Sequence, residues 1–318
     1  MWYEIVFWIL CGILGVAALF LLICLGCFLK VFYSPKRKPL GEGEYDYPPG
    51  DVYDPFYPQM QQWMERLRKL PHEDVSVTSF DGLTLRGAYY EYAPNSPVEL
   101  LFHGYQGTAE RDLSGAIDRC AALGRSMLIV NQRGSGPSDG HVITFGVKEK
   151  KDCLTWIDFA VEKFGKDRTL MIGGVSMGAT TVLLASEETL PKNVVSVMAD
   201  CGFSSAKEII KKVVREMGLP ADMVYPFIRF GGIIFGGFDP NQSAPIESVK
   251  RAKTPVIFLH GDADDYVPYQ MSVDMYAACN APRKKLVTLA GAGHGLAYPN
   301  NPDEYVEGLR EFQEECGF

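Results

Sequence analysis

The sequence contains few histidines and has no excess of positive charge. Five histidines occur among 318 residues, and 31 lysines and arginines stand against 39 acidic residues, which gives a net charge of -8. His72 and His141 have no ligand-like spacing to another histidine or cysteine, so we predict neither a metal site nor a cofactor. No basic stripe crosses the part expected to fold, which argues against a nucleic-acid partner.

The cysteines lack the spacing of a disulfide framework, and no internal repeat is present. Eight occur in the chain, and the five that lie outside an N-terminal apolar segment are odd in number and scattered: Cys120, Cys153, Cys201, Cys279 and Cys316. Free thiols in this pattern are typical of proteins kept in a reducing compartment.

Charge is absent from residues 5–29, which form a run of 25 uncharged residues. At about 1.5 Å per residue such a helix is long enough to cross a hydrocarbon core about 30 Å thick. A cleaved signal peptide is the competing interpretation, but no basic region precedes the run. We therefore predict that residues 1–33 form a single-pass anchor in the cell membrane.

The charges beside this segment are asymmetric. Glu4 precedes it, and Lys30, Lys36, Arg37 and Lys38 follow. Basic residues close to the end of a span stay on the cytoplasmic side, so the rest of the chain is expected in the cytoplasm.

Residues 34–58 are rich in proline, tyrosine and glycine without a sustained period, and this predicts a linker. Residues 59–318 then form one domain. Apolar residues at helical spacing start at Met60, and Asp81-Gly82 between two strand-like runs predicts a hairpin. Strands near residues 99–103, 127–131, 170–175, 194–199, 256–260 and 286–289 alternate with helices, which is typical of a mostly parallel α/β sheet.

The most informative motif is Gly174-Val-Ser176-Met-Gly178, which lies between an apolar run and a helix-forming run. A serine on so sharp a turn leaves no room for side chains two residues to either side, which accounts for the two glycines. This context makes Ser176 a candidate nucleophile, although a GxSxG string also occurs by chance in ordinary turns.

An activated serine needs a histidine base and an orienting carboxylate. Residues 254–260 read as a buried strand that ends in a loop containing Asp262, Asp264 and Asp265. A second strand, residues 285–290, opens into a glycine-rich loop that carries His294. The acid and the base thus follow the serine in the order Ser, Asp, His.

At these residues the chain resembles the α/β-hydrolase family, in particular its Bem46-like and serine-aminopeptidase-like serine hydrolases. The resemblance extends from about Val75 to the C-terminus. It rests on six stretches: His103-Gly104-Tyr105, residues 131–138, the Ser176 turn, Ala199-Asp200, residues 260–268 and the His294 loop.

The resemblance implies roles for particular residues. It selects Asp264 as the catalytic acid, and it implies an oxyanion hole formed by the backbone N–H groups of Met177 and Tyr105. It assigns structural roles to His103 and Asp200. Residues 203–249 would form a lid, although a helical excursion that only packs on the sheet has the same composition.

The predicted function is hydrolysis of a small acyl substrate, most simply a carboxylic ester, by Ser176, His294 and Asp264. Amides, thioesters and peptides remain open as substrates, and so does a catalytically silent protein that uses the fold for binding. Dehalogenase chemistry is disfavoured because it needs aspartate where this chain has Ser176. The sequence leaves the oligomeric state open.

Overall fold

The computed structural model describes residues 1–36, 40–41 and 43–318. Arg37 and Lys38, two of the four cations used above to predict the orientation of the N-terminal segment, lie outside the described residues. Pro39 and Glu42, which belong to the predicted linker, also lie outside them.

An eight-stranded sheet forms the centre of the domain, in the order β1-β2-β4-β3-β5-β6-β7-β8. The strands are Glu73–Thr78 (β1), Thr84–Tyr90 (β2), Val98–Phe102 (β3), Ser126–Asn131 (β4), Leu170–Val175 (β5), Val194–Asp200 (β6), Val256–Gly261 (β7) and Lys284–Leu289 (β8). The first two are antiparallel to their neighbours, and β3 to β8 are parallel. The predicted α/β class, with its mostly parallel sheet, is confirmed.

Twelve α-helices accompany the sheet in the described part of the chain. They are Trp2–Val31 (α1), Tyr57–Lys69 (α2), Ala109–Leu113 (α3), Ala116–Ala122 (α4), Glu149–Phe164 (α5), Met177–Ala185 (α6), Ala206–Glu216 (α7), Ala221–Gly231 (α8), Pro245–Ser248 (α9), Gln270–Ala278 (α10), Ala297–Asn300 (α11) and Pro302–Cys316 (α12). Helices α5, α6 and α10 bury their apolar faces on one side of the sheet. Helices α2, α3, α4 and α12 do so on the other.

The central parallel strands carry apolar residues at almost every position because helices cover both faces. β3 and β7 are buried along their whole length. β1, at the edge, alternates between buried and exposed residues. The six strands expected after residue 98 lie within two residues of their predicted positions, because such runs leave little choice of structure.

The N-terminal helix has two different surroundings along its length. Residues 2–19 are exposed, whereas Cys24, Phe28 and Phe32 are buried. Phe28 and Phe32 belong to a third apolar cluster, which also contains Phe145 and residues of α7 and α8 such as Ile228. The last turns of α1 therefore pack into the core of the domain, which the sequence alone had not indicated.

Part of the segment predicted as a linker forms regular structure and hydrogen bonds. Residues Asp51–Phe56 form a 3-10 helix, and α2 starts at Tyr57 rather than after residue 58. Ser34 donates a hydrogen bond to the carbonyl oxygen of Gly134, 2.7 Å away. Tyrosine hydroxyls attach the segment to α2, since Tyr45 contacts Glu65 and Tyr47 contacts Gln61.

Candidate active site

Ser176 lies on the turn between β5 and α6 with φ 56° and ψ -116°. A positive φ is uncommon for a residue with a side chain, and such strain is concentrated at functional sites. The flanking glycines are required sterically. A methyl group at Gly174 would lie 2.2 Å from the carbonyl carbon of Gly178, and one at Gly178 would lie 2.0 Å from the carbonyl oxygen of Phe102.

The structure brings Ser176, His294 and Asp264 together. The Nε2 atom of His294 lies 2.9 Å from the Ser176 hydroxyl, and its Nδ1 atom lies 2.7 Å from Oδ2 of Asp264. Ser176 follows β5, Asp264 follows β7 and His294 follows β8. Because the carboxyl ends of parallel strands meet at one edge of the sheet, residues 118 apart in the sequence become neighbours.

Asp264 is held from several directions. Its Oδ1 atom accepts hydrogen bonds from the backbone N–H groups of Tyr266 and Val267, at 2.9 and 2.8 Å. Its Oδ2 atom lies 3.1 Å from Nε2 of a second histidine, His260. Burial disfavours the ionised carboxylate, but the hydrogen bonds from His260 and His294 outweigh burial and lower the pKa of Asp264 to about 2. The carboxylate is therefore charged at neutral pH.

His260 is a site residue that the sequence reasoning missed. Its side chain is fully buried, its Nδ1 atom lies 2.6 Å from the Ser272 hydroxyl, and its Nε2 atom also lies 2.9 Å from the carbonyl oxygen of Val267. The position of His260, four residues before Asp264 at the end of a strand, was the available signal.

The neighbouring acids have other partners. Asp262 accepts a hydrogen bond from the backbone N–H of Gly291 at 2.6 Å. Asp200 accepts one from the Tyr305 hydroxyl at 2.9 Å, and its burial raises its pKa. Among the described residues, neither Asp262 nor Asp265 forms a hydrogen bond with His294. Among these acids, Asp264 has the hydrogen bond to the imidazole.

The two residues predicted to form an oxyanion hole flank the serine. Met177 is the first residue of α6, where backbone N–H groups have no acceptor inside the helix. Tyr105 follows Gly104 in the turn after β3, and a methyl group at Gly104 would lie 3.5 Å from Cβ of Ser176. The Tyr105 side chain points elsewhere, since its hydroxyl donates to the carbonyl oxygen of Val31 at 2.8 Å.

His103 braces this turn. Its Nε2 atom accepts a hydrogen bond from the backbone N–H of Gln132 at 2.9 Å, and its Nδ1 atom lies 2.8 Å from the carbonyl oxygen of Gly104. The side chain is fully buried, and burial lowers its pKa, so the imidazole is neutral. These contacts suit the structural role expected for His103.

A cavity of about 680 Å³ opens beside the serine. Its lining includes Ser176 and His294 and a largely apolar wall formed by Trp63, Leu101 and Met198. Residues 46–49, Val52 and Tyr53 line it from the segment predicted as a linker. Among the described residues that line it, none comes from residues 203–249. The predicted linker therefore covers this cavity, whereas the predicted lid borders the site through contacts with Met177.

A buried ion pair also lines the cavity. The Arg111 guanidinium lies 2.6 Å from Asp112, and its Nη1 atom lies 3.8 Å from Asp46. The charge of Arg111 lowers the pKa of Asp112 despite its burial, so both side chains are ionised. The sequence reasoning had not singled out this pair, because neither residue lies in a recognised motif.

Cys201, Asp264 and His294 are the residues of this site that could approach a metal ion, with ligand atoms within 4.8 Å of one another. Asp264 and His294 are hydrogen-bonded to each other, and burial raises the pKa of the Cys201 thiol well above its usual value. A protonated thiol is a poor ligand. The absence of a metal stays a prediction.

The comparisons with known proteins agree with this architecture. Residues 98–225 match the family described as the alpha/beta hydrolase fold, and residues 237–317 match the prolyl oligopeptidase family. The chain has the α/β-hydrolase fold, as the motifs had predicted.

Individual relatives are more distant. The chain is 28% identical over 191 residues to the protein YqkD of Bacillus subtilis, which covers 60% of this chain and 62% of that protein. It is 25% identical to the protein bem46 of Schizosaccharomyces pombe, over 79% of this chain and 81% of that protein. It is 27% identical to the lysophosphatidylserine lipase ABHD12 of Rattus norvegicus, over 58% of this chain and 46% of the lipase.

The esterase Pf2001 of Pyrococcus furiosus is a structural neighbour. It has a TM-score of 0.65 and 20% sequence identity, and the match covers 90% of this chain and 98% of the esterase. Similarity at this level of identity shows the shared fold. Together, these relatives support a hydrolase of the esterase, lipase or peptidase type.

Proposed function

We propose that this protein is a membrane-anchored serine hydrolase that cleaves a carboxylic ester through an acyl-enzyme intermediate. The observation that carries the proposal is the unbroken hydrogen-bond chain from Ser176 through His294 to Asp264, on a strained turn beside a cavity. A serine, a base within hydrogen-bond reach and a group that orients the base are the requirements for nucleophilic catalysis.

In the first step, the Ser176 oxygen attacks the ester carbonyl while His294 Nε2 takes the hydroxyl proton. Asp264 accepts the hydrogen bond from Nδ1–H of His294 and stabilises the imidazolium. The tetrahedral intermediate collapses, the protonated His294 gives its proton to the leaving alkoxide, and the alcohol departs. Water, deprotonated by His294, then attacks the acyl-enzyme and releases the carboxylic acid and free Ser176.

The negative charge that develops on the carbonyl oxygen requires preorganised donors. We assign this role to the backbone N–H groups of Met177 and Tyr105. Removal of one such donor typically costs about 10²–10³ in turnover, so the close approach of the Gly104 turn to Ser176 belongs to the catalytic geometry.

The cavity lining favours an ester with an apolar acyl group. Trp63, Leu101 and Met198 offer an apolar wall, while the Arg111–Asp112 ion pair places polar groups at the same cavity. A single acyl chain with a polar head would satisfy both features. One relative carries the name lysophosphatidylserine lipase, which agrees with this substrate class.

The membrane anchor in this proposal is α1. It is long and apolar enough to cross a membrane, and its most apolar stretch of 18 residues is exposed. The cations that follow the apolar run, against none before it, favour a cytoplasmic hydrolase domain.

Labelling with a fluorophosphonate probe tests the nucleophile. We expect the wild-type protein to be labelled and Ser176→Ala to lose labelling completely, because only an activated serine is phosphonylated. Ser114→Ala is a matched control, since Ser114 is a buried serine that lines the same cavity. It should keep full labelling.

Circular dichroism should show that both variants are folded. Persistent labelling of folded Ser176→Ala would refute the assignment. A folded wild-type protein that binds acyl ligands but is never labelled would support the silent binding protein instead.

A further inference from the structure

Large exposed apolar side chains cluster in α8 and in the π-helical turn Gly232–Gly236 that follows it. Met223, Phe230, Ile233, Ile234 and Phe235 are 71%, 42%, 39%, 46% and 39% exposed. Soluble proteins rarely expose apolar side chains in such density unless the surface meets a partner or a membrane.

This apolar segment lies along α1. The Phe20 ring is 5.5 Å from the ring of Phe227 and 5.6 Å from that of Phe230. Two turns further on, the Phe28 ring is 5.9 Å from that of Phe235. The contact follows α1 from residue 20 to residue 28, about 12 Å of helix axis.

The helices approach closely between these ring contacts. A methyl group at Gly231 would lie 2.5 Å from the carbonyl oxygen of Cys24, so only glycine fits there. Backbones this close form a defined packing contact, and α8 cannot move along α1 independently. The position of α1 in a membrane therefore fixes the position of α8.

Phe20 lies inside the hydrocarbon core in every possible placement of α1. The core is about 30 Å thick and takes about 20 helical residues. Every stretch of 20 residues within Trp2–Val31, from residues 2–21 to residues 12–31, includes residue 20. The rings of Phe227 and Phe230, which contact Phe20, must then lie inside the hydrocarbon core or at its edge.

We propose that α8 and the π-helical turn insert into the membrane leaflet beside α1, with lipid as the partner of their exposed apolar side chains. The inference rests on the proposed membrane anchoring by α1. It adds a second contact, which fixes the rotation and depth of the hydrolase domain instead of leaving it on a tether.

The insertion also brings the candidate site close to the lipid. Tyr105, whose backbone is assigned to the oxyanion hole, donates a hydrogen bond from its hydroxyl to the carbonyl oxygen of Val31, at the end of α1. Met177 and Ile228 of α8 belong to one apolar cluster. The proposed insertion therefore places the leaflet on the side of Ser176 where Tyr105 and Met177 lie.

Photo-crosslinking of the full chain in lipid nanodiscs tests the insertion. The photoreactive residue p-benzoylphenylalanine would replace one of three exposed residues: Phe230 in α8, Leu14, which lies in the hydrocarbon core in every possible placement of α1, or Tyr92. Tyr92 follows β2 and lies beside the amino end of β4. The active site and the end of α1 lie at the opposite, carboxyl end of the parallel strands. Lipid adducts would be quantified by mass spectrometry.

We expect adduct yields at positions 14 and 230 to be similar and roughly tenfold above that at position 92, as for side chains embedded in a leaflet. A yield at 230 as low as at 92, with strong labelling at 14, would overturn the insertion and leave the anchor intact. Weak labelling at 14 would overturn the anchor and the depth argument together.

Discussion

At the scale of single residues, the contacts of Asp264 predict which acid matters for turnover. In Asp264→Asn, the amide oxygen can still accept from Tyr266 and Val267, while the amide nitrogen faces Nδ1 of His294. The imidazole is then held in the wrong tautomer. We expect a fall in kcat of about 10⁴.

Asp262→Asn is the matched control for this prediction. Asp262 accepts a hydrogen bond from the Gly291 backbone and lies in the same loop as Asp264. Its asparagine variant should keep kcat within about tenfold, because a neutral amide oxygen still accepts that bond. Steady-state hydrolysis of a p-nitrophenyl ester compares the two, and a larger loss in Asp262→Asn would reject Asp264 as the catalytic acid.

Part of the site could be predicted from the sequence because local sterics and strand order fix it. The glycines on either side of Ser176 are needed at that turn, and the acid and base follow successive strands. His260 and Arg111 could not be assigned, because their roles depend on contacts with Asp264 and with the cavity.

At the scale of elements, the predicted strands were accurate, whereas the contacts that join the predicted anchor and linker to the domain could not be predicted. An apolar run is read in the same way whether it faces lipid or protein, so the burial of Phe28 and Phe32 could not be seen. The cover formed by residues 46–53 was also hidden, because such a segment has no period.

The packing of α1 predicts different effects of two truncations. Deletion of residues 1–34 removes Phe28 and Phe32 and leaves their partners, including Phe145 and Phe238, in contact with solvent. At about 1.5–3 kcal/mol per large apolar side chain, the loss is roughly 3–6 kcal/mol. Deletion of residues 1–19 keeps both rings and should cost far less.

Chemical unfolding of both truncated chains in the same detergent measures the difference. The wild-type protein in that detergent gives the reference midpoint. Equal unfolding midpoints for the two deletions would show that the last turns of α1 are only a tether.

At the scale of the whole molecule, the proposed orientation places the hydrolase domain in the cytoplasm. Protease added to intact cells, or to spheroplasts where a wall intervenes, should leave the domain uncut, since the membrane separates it from the enzyme. After permeabilisation the same protease should digest it. Immunoblotting against the C-terminal helix α12 shows whether the domain is intact before and after permeabilisation. Digestion in unbroken cells would reverse the orientation and leave the assignment of the triad unaffected.

The tyrosine-rich segment over the cavity has a consequence for how this protein could change during evolution. Residues 46–53 belong to no strand of the sheet, and they are attached to α2 by hydrogen bonds such as that from the Tyr57 hydroxyl to the Pro48 carbonyl. The strands that position Ser176, His294 and Asp264 lie elsewhere in the chain. Substitutions in this short stretch can therefore alter which acyl groups fit without disturbing the reacting atoms, so substrate range and chemistry can diverge separately.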